Sequence, residues 1–145
     1  MAPPARNLFV RTLTWDVSDI DPTETGLGAM LHEERECDIV IVALQGAPLN
    51  KKRDVDDWKA TISGATSKTK YEVLAVGQRR DLLTLVLVAR KHKPFFRIEA
   101  IETVNTSILN DPETGGASAI HFVVHETKFT VVNAILKQVD GCLQL

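Results

Sequence analysis

The sequence has few of the features that mark a membrane-spanning, secreted or metal-clustered protein. Only two of its 145 residues are cysteines, Cys37 and Cys142, and their wide separation matches no metal-binding spacing, which favours free thiols. The longest mainly apolar run, residues 82–89, has the length of a strand and falls short of the roughly 20 residues that cross a bilayer. Residues 1–6 contain no apolar signal core. These absences favour a cytoplasmic protein with no transmembrane segment.

Positive and negative residues nearly balance in this sequence. The formal net charge is -2, so no strong field favours nucleic acid as a partner. The chain is 44% hydrophobic and 25% charged, as is typical of one soluble globular domain. We expect that domain to span residues 7–136, between a disordered tail at 1–6 and a C-terminal tail at 137–145.

Hydrophobic periodicity predicts a chain rich in strands. Runs of β-branched and apolar residues predict strands at 7–17, 38–44, 71–76, 82–90, 95–104, 118–124 and 128–132. Helices are expected at 27–35 and at 54–65, the second with Asp54 as its N-cap. Turns are expected at 77–81 and 125–127. This order indicates an α/β layered sandwich (α+β) with a mixed, mostly antiparallel sheet.

Four short motifs occur in a recognisable order. They read TWDV at 14–17, LQG at 44–46, GASAIHF at 116–122 and VVNAIL at 131–136. In order and spacing they resemble the first half of the inositol polyphosphate 5-phosphatases, of the endonuclease/exonuclease/phosphatase superfamily. That family typically reads TWNVN, FQE, GNKGAVAIRF and VNSHLAA at these places. The resemblance implies half of that family's fold, because none of its later motifs occurs.

The positions that would carry the family's chemistry are altered. Asp16 replaces an asparagine, Gly46 the metal-binding glutamate, and Ile135 the histidine that contacts the scissile phosphate. Thr114 and Gly115 stand at the Asn-Lys pair. Magnesium-dependent hydrolysis needs carboxylate ligands and a cation or donor on the phosphoryl group. The resemblance therefore implies that the chain has no catalytic residues and binds no metal. Mg²⁺ would be expected as a cofactor only if the ancestral site is retained.

A surviving ligand site would occupy the same strand ends. The resemblance places there, as ligand-binding candidates, Asp16, Gln45, Thr114, Gly115, Gly116 and Asn133. The alternative interpretation is structural: Gln45 and Asn133 are polar groups at strand ends whose hydrogen bonds are satisfied within the protein.

Other clusters have both a functional and a structural interpretation. An acidic loop contains Asp16, Asp19, Asp21 and Glu24, which could hold a divalent cation or be simply solvated. Three basic clusters at 51–53, 79–80 and 90–93 could meet an anionic ligand, although solvated turns are favoured. His121 and His125 are expected on one face of a strand, too far apart to share a metal.

Three functions remain open at this stage. The favoured one is a non-catalytic 5-phosphatase-like domain that acts through a protein partner or as a homodimer. The second is a module that binds inositol phosphates or phosphoinositides. The third is a Mg-dependent phosphoric monoester hydrolase half that is active only with a complementary chain.

Overall fold

The computed structural model describes residues 7–24, 26–31, 36–49, 51–67, 69–105, 115–139 and 142–144. Two helices are present in this part of the chain, α1 (Leu27–Met30) and α2 (Lys52–Ala65). Short 3-10 turns span Pro22–Glu24 and Arg90–Phe95. The strands are β1 (Val10–Asp16), β2 (Ile39–Gln45), β3 (Tyr71–Arg79), β4 (Leu82–Ala89), β5 (Phe96–Asn105), β6 (Gly116–Val124), β7 (Thr127–Ile135), β8 (Lys137–Val139) and β9 (Cys142–Gln144).

Two sheets carry the architecture. The larger has the order β1-β2-β4-β3, with β1 and β2 parallel and the other neighbours antiparallel. The smaller, β5-β6-β7, is antiparallel throughout, and β8 and β9 form a separate hairpin. The predicted α/β layered sandwich with mostly antiparallel sheets is confirmed. No helix among the described residues is long and apolar enough to cross a membrane.

The central strands of the larger sheet, β2 and β4, are buried on both faces. One face packs against the helices, where α2 buries Val55, Trp58 and Ile62. The other face packs against the smaller sheet, where Val86 and Val88 meet Phe122. Every residue of β4 is buried as a result, which explains its almost unbroken apolar sequence.

The two sheets approach closely over β3 and β6. A Cβ atom at Gly77 would stand 3.0 Å from side-chain atoms of both Ile120 and Ser118. That separation is tighter than ordinary van der Waals contact, so a glycine at 77 lets β6 pack directly onto β3.

Local structure departs from the sequence predictions at four points. The helix predicted at 27–35 ends at Met30, and residues 32–35 lie outside the described residues. Asp54 is not the N-cap of α2; Lys51 is, and the Asp54 carboxylate accepts a hydrogen bond from the Lys51 N–H at 2.9 Å. The turn predicted at 77–81 is confined to residues 80–81, because β3 continues to Arg79. His125 does not lie on a strand with His121, because it forms the β6–β7 turn with a φ of 55°.

One end of the sandwich is joined by a chain of polar contacts centred on Asp38. Its carboxylate accepts hydrogen bonds from the Phe9 N–H at 2.9 Å and from His92 Nε2 at 2.7 Å, and Lys91 Nζ lies 3.3 Å away. His92 Nδ1 in turn lies 2.9 Å from His125 Nε2. The contacts connect the start of β1, the start of β2, the 3-10 turn and the β6–β7 turn, so they tie both sheets together.

Asp38 remains ionised in this setting despite being buried. Burial alone would raise the pKa of its carboxyl group. Hydrogen bonds from the Phe9 N–H, His92 and Lys91 outweigh that effect, and the pKa lies below its usual value.

We predict that Asp38→Asn lowers the free energy of unfolding by about 1–3 kcal/mol at pH 7, because the network loses its charge. A carboxyl whose pKa is depressed by folding stabilises the protein above its unfolded pKa of about 3.9, and the contribution is lost as pH falls through the folded pKa. The difference between wild type and variant should therefore shrink below about pH 4. Denaturant unfolding from pH 7 to pH 2.5 measures it, with the exposed Asp56→Asn as control. A difference that stays constant across this range contradicts the role assigned to Asp38.

Candidate functional site

The four motif segments meet at the end of the sandwich opposite Asp38. Asp16 and Gln45 are partners in the β1–β2 register, and Gly116 and Ile135 are partners in the β6–β7 register. The side chains of Gln45 and Asn133 join the two sheets there, since Gln45 Nε2 donates to Asn133 Oδ1 at 2.7 Å. Thr114 lies outside the described residues. The sequence order of the motifs thus corresponds to one location in space.

Asn133 is a buried tie between the sheets. It is 2% exposed, and its Nδ2 donates to the carbonyl oxygens of Leu44 at 3.1 Å and Leu83 at 3.3 Å. The side-chain oxygen of Asn133 accepts a hydrogen bond from Gln45 Nε2, which also donates to Thr14 Oγ1 at 3.0 Å. The hydrogen-bonding groups of Asn133 are therefore used within the protein, which supports the interpretation of a satisfied polar group at a strand end.

The space next to Gly46 is filled by the loop that follows β1. Gly46 has a φ of 72°, a conformation that favours glycine. A Cβ atom there would overlap Ser18 Oγ and stand 2.8 Å from Asp16 Oδ1. A side chain at this position requires the exposed side chains of Ser18 and Asp16 to turn away.

Asp16 is committed to a local turn. Its Oδ1 accepts hydrogen bonds from the Ser18 hydroxyl at 2.5 Å and from the Ser18 N–H at 3.1 Å. These two contacts, the hydroxyl first, lower the pKa of the Asp16 carboxyl below its usual value. The exposed carboxylate is ionised, but Oδ1 is already engaged by Ser18.

Arg79 lies at the same end and was not singled out as a site residue by its sequence. It was interpreted as part of a solvated basic turn, but it is only 8% exposed. Its guanidinium covers Gly116, where a Cβ atom would stand 2.5 Å from Nη1. Gly116 has a φ of 152° and Gly115 a φ of 82°. The two glycines let the chain pass beneath the guanidinium, and nothing in the sequence pattern signalled this contact.

Two buried hydroxyl groups near this end have no hydrogen-bond partner among the described residues, Thr84 Oγ1 and Ser118 Oγ. Both residues are 1% exposed and lie next to Gly77, in the layer between the sheets. Together with Arg79 and Asn133 they make this end of the interior polar, in contrast to the apolar layer below it.

The other predicted clusters behave as ordinary surface features. Asp21 Oδ1 accepts from the Thr23 N–H at 2.8 Å, and the described residues contain no group of three or more His, Cys, Asp or Glu that could hold a metal. Arg90 and Lys93 both pair with Glu72, at 3.0 and 2.9 Å. The basic cluster at 90–93 is therefore neutralised in part by its own sheet.

Solved proteins of two different functions share this layered fold. The inositol polyphosphate 5-phosphatase domain of SPsynaptojanin, solved with inositol (1,4)-bisphosphate and a calcium ion, matches with a TM-score of 0.70 at 15% identity, over 91% of this chain and 41% of that one. Cimex nitrophorin, solved as a ferrous NO complex, matches with 0.67 at 17% identity, over 90% and 47%. A point mutant of it gives 0.69 at 18% identity, over 92% and 48%.

These similarities establish the fold of the chain. No protein-family model matches the sequence. The chain spans less than half the length of each of these structural neighbours. Since one neighbour was solved with an inositol phosphate and the other with NO, the fold by itself does not select a function.

We predict that Gly46→Glu does not create a magnesium site and lowers the free energy of unfolding by about 2 kcal/mol or more. A non-glycine residue in the left-handed region costs roughly 1–2 kcal/mol, and overlap with Ser18 adds to it. Gly64→Glu is the matched control, because Gly64 is exposed on α2 and no atom lies within 4 Å of its Cβ position. Denaturant unfolding and Mg²⁺ titration calorimetry measure both effects. A Gly46→Glu protein as stable as Gly64→Glu that binds Mg²⁺ would show that the position is open.

Proposed function

We propose that this chain is a non-catalytic domain with a 5-phosphatase-like fold, which acts through contacts with protein. The observation that carries the proposal is the occupied space at Gly46. Hydrolysis at a magnesium ion needs carboxylate ligands, and the position that resembles the family's glutamate has no side chain, while Ser18 Oγ and Asp16 Oδ1 occupy the space beside it. Ile135, at the position of the family's histidine, offers no proton or hydrogen bond.

Exposed apolar side chains support the proposal that the chain binds a protein partner. Large apolar residues of the smaller sheet and its flank are 43% to 61% exposed, namely Phe95, Ile98, Ile101, Val104, Val132 and Leu136. Large apolar side chains left exposed are candidates for contact with another protein.

Binding of inositol phosphates without cleavage is the second candidate. It is supported by the neighbour solved with inositol (1,4)-bisphosphate and by the buried Arg79 guanidinium over Gly116. The basic segment at 51–53 would contribute further positive charge. A 5-phosphatase half that needs a complementary chain is the third candidate, and the filled Gly46 position counts against it.

We predict that the isolated chain releases no phosphate from inositol (1,4)-bisphosphate in the presence of Mg²⁺, and that this compound leaves its thermal unfolding midpoint unchanged. Phosphate release and differential scanning calorimetry measure the two outcomes. Turnover by the isolated chain contradicts the proposal outright.

A dose-dependent rise in the midpoint would instead favour the second candidate. Ligand at about 100 times its Kd stabilises by about 2.7 kcal/mol. In that case Lys51→Ala/Arg53→Ala should reduce the rise in a salt-dependent manner, and the charge-matched Arg97→Ala/Lys128→Ala should not. The control pair is exposed on the smaller sheet.

A further inference from the structure

The two sheets are offset from each other by about one strand. β7 packs over β2 and β4, β6 packs over β3 and β4, and β5 lies beside β3. The smaller sheet therefore covers the larger one only as far as β2. β1 extends beyond this cover, and its residues facing that side are exposed, including Val10, Thr12 and Thr14. Leu13 and Trp15, on its other face, pack against the helix-side core.

Both sheets end in an open strand on this same side. Among the described residues β1 pairs only with β2, and β7 pairs only with β6. A groove of about 450 Å³ runs between the two open strands. None of its eleven lining residues is charged, although 25% of the chain is charged. An open strand edge is a template for pairing with another strand.

The offset restricts what can fill both edges at once. β1 and β2 are parallel, and the ends of β2 and β7 meet at Gln45 and Asn133, so β1 and β7 run in the same direction. A partner that fills both edges must supply two strands. One pairs with β7 and lies opposite β1, and the other pairs with the open edge of β1.

A second copy of the chain has the required offset. A two-fold axis parallel to the strands and midway between the sheets exchanges the larger sheet with the smaller one. It places β1 of the second copy beside β7, and β7 of the second copy beside β1, with all strand directions preserved. By contrast, antiparallel pairing of β7 with its own copy would drive β1 into the larger sheet of the partner.

We propose that the β1/β7 side is the interface of a two-fold symmetric homodimer in which each β1 pairs in parallel with the β7 of the other copy. Two continuous sheets of seven strands result, since each combines four strands of one copy with three of the other. The two β1 strands then face each other across the axis, and their threonines meet. This inference rests on the proposed function and names the partner as the chain itself. The uncharged groove removes the like-charge repulsion that otherwise opposes self-association.

Thr12→Lys tests the interface. Thr12 is exposed in the single copy, so a lysine there is compatible with the fold of one chain. In the dimer the two lysines face each other in a closed layer, and we expect the dimer dissociation constant to rise on the order of 100-fold. Thr103→Lys is the matched control, because Thr103 is exposed on β5, on the opposite side of the sandwich.

Sedimentation equilibrium across micromolar concentrations measures the mass. We expect wild type and Thr103→Lys at twice the 16.0 kDa chain mass and Thr12→Lys at the mass of one chain. On dilution, the backbone amides of β1 and β7 should lose protection from hydrogen exchange together, and those of β3 and β5 should not.

Two results overturn the dimer. A wild-type chain that stays monomeric at 100 times those concentrations removes self-association, and a Thr12→Lys protein that remains dimeric places the contact elsewhere. Neither result bears on the absence of phosphate release, so the failure of the dimer and the failure of the proposed function are distinguishable.

Discussion

The packing of one sheet on the other is the constraint on which the rest of the molecule depends. The apolar layer between the sheets supplies its energy, and polar contacts define its alignment at both ends. At one end Asn133 donates to carbonyl groups of β2 and β4 and accepts from Gln45. At the other end Asp38, His92 and His125 connect β2 to the β6–β7 turn. Removing a partner from a buried polar contact leaves the other unsatisfied, so such contacts specify one alignment of the sheets over its alternatives.

The end of the sandwich that contains Gln45 and Asn133 is a joint between the two sheets. Several of its polar side chains contact each other or the backbone. Ser18 engages Asp16 and fills the space beside Gly46, and the guanidinium of Arg79 lies over Gly116. A fold of this class separates the framework from the chemistry, so residues at this end can differ between proteins while the strands and layers stay the same.

The main elements were predictable because each strand carries a local signal. Runs of β-branched and apolar residues indicated the strands of both sheets, and the predicted helix at 54–65 lies within α2. The ends of elements were less predictable. Arg79 and Gly116 are charged and flexible residue types that favour turns, but pairing with neighbouring strands of the same sheet extended β3 and β6 to include them. The prediction of a cytoplasmic location and of the domain limits stays a prediction.

The sequence by itself determined the fold class, the order of the motifs and the absence of reactive side chains at Gly46 and Ile135, since these depend on residue type and local periodicity. The tertiary structure decided which residues meet. Residues 79 and 116, or 38, 92 and 125, are distant along the chain, and no local pattern records their proximity. The offset of the sheets, which exposes one face of β1, follows from how many strands each sheet contains and how they are stacked. The offset is a property of the assembled layers, because the sequence of a strand does not show whether another strand packs opposite it.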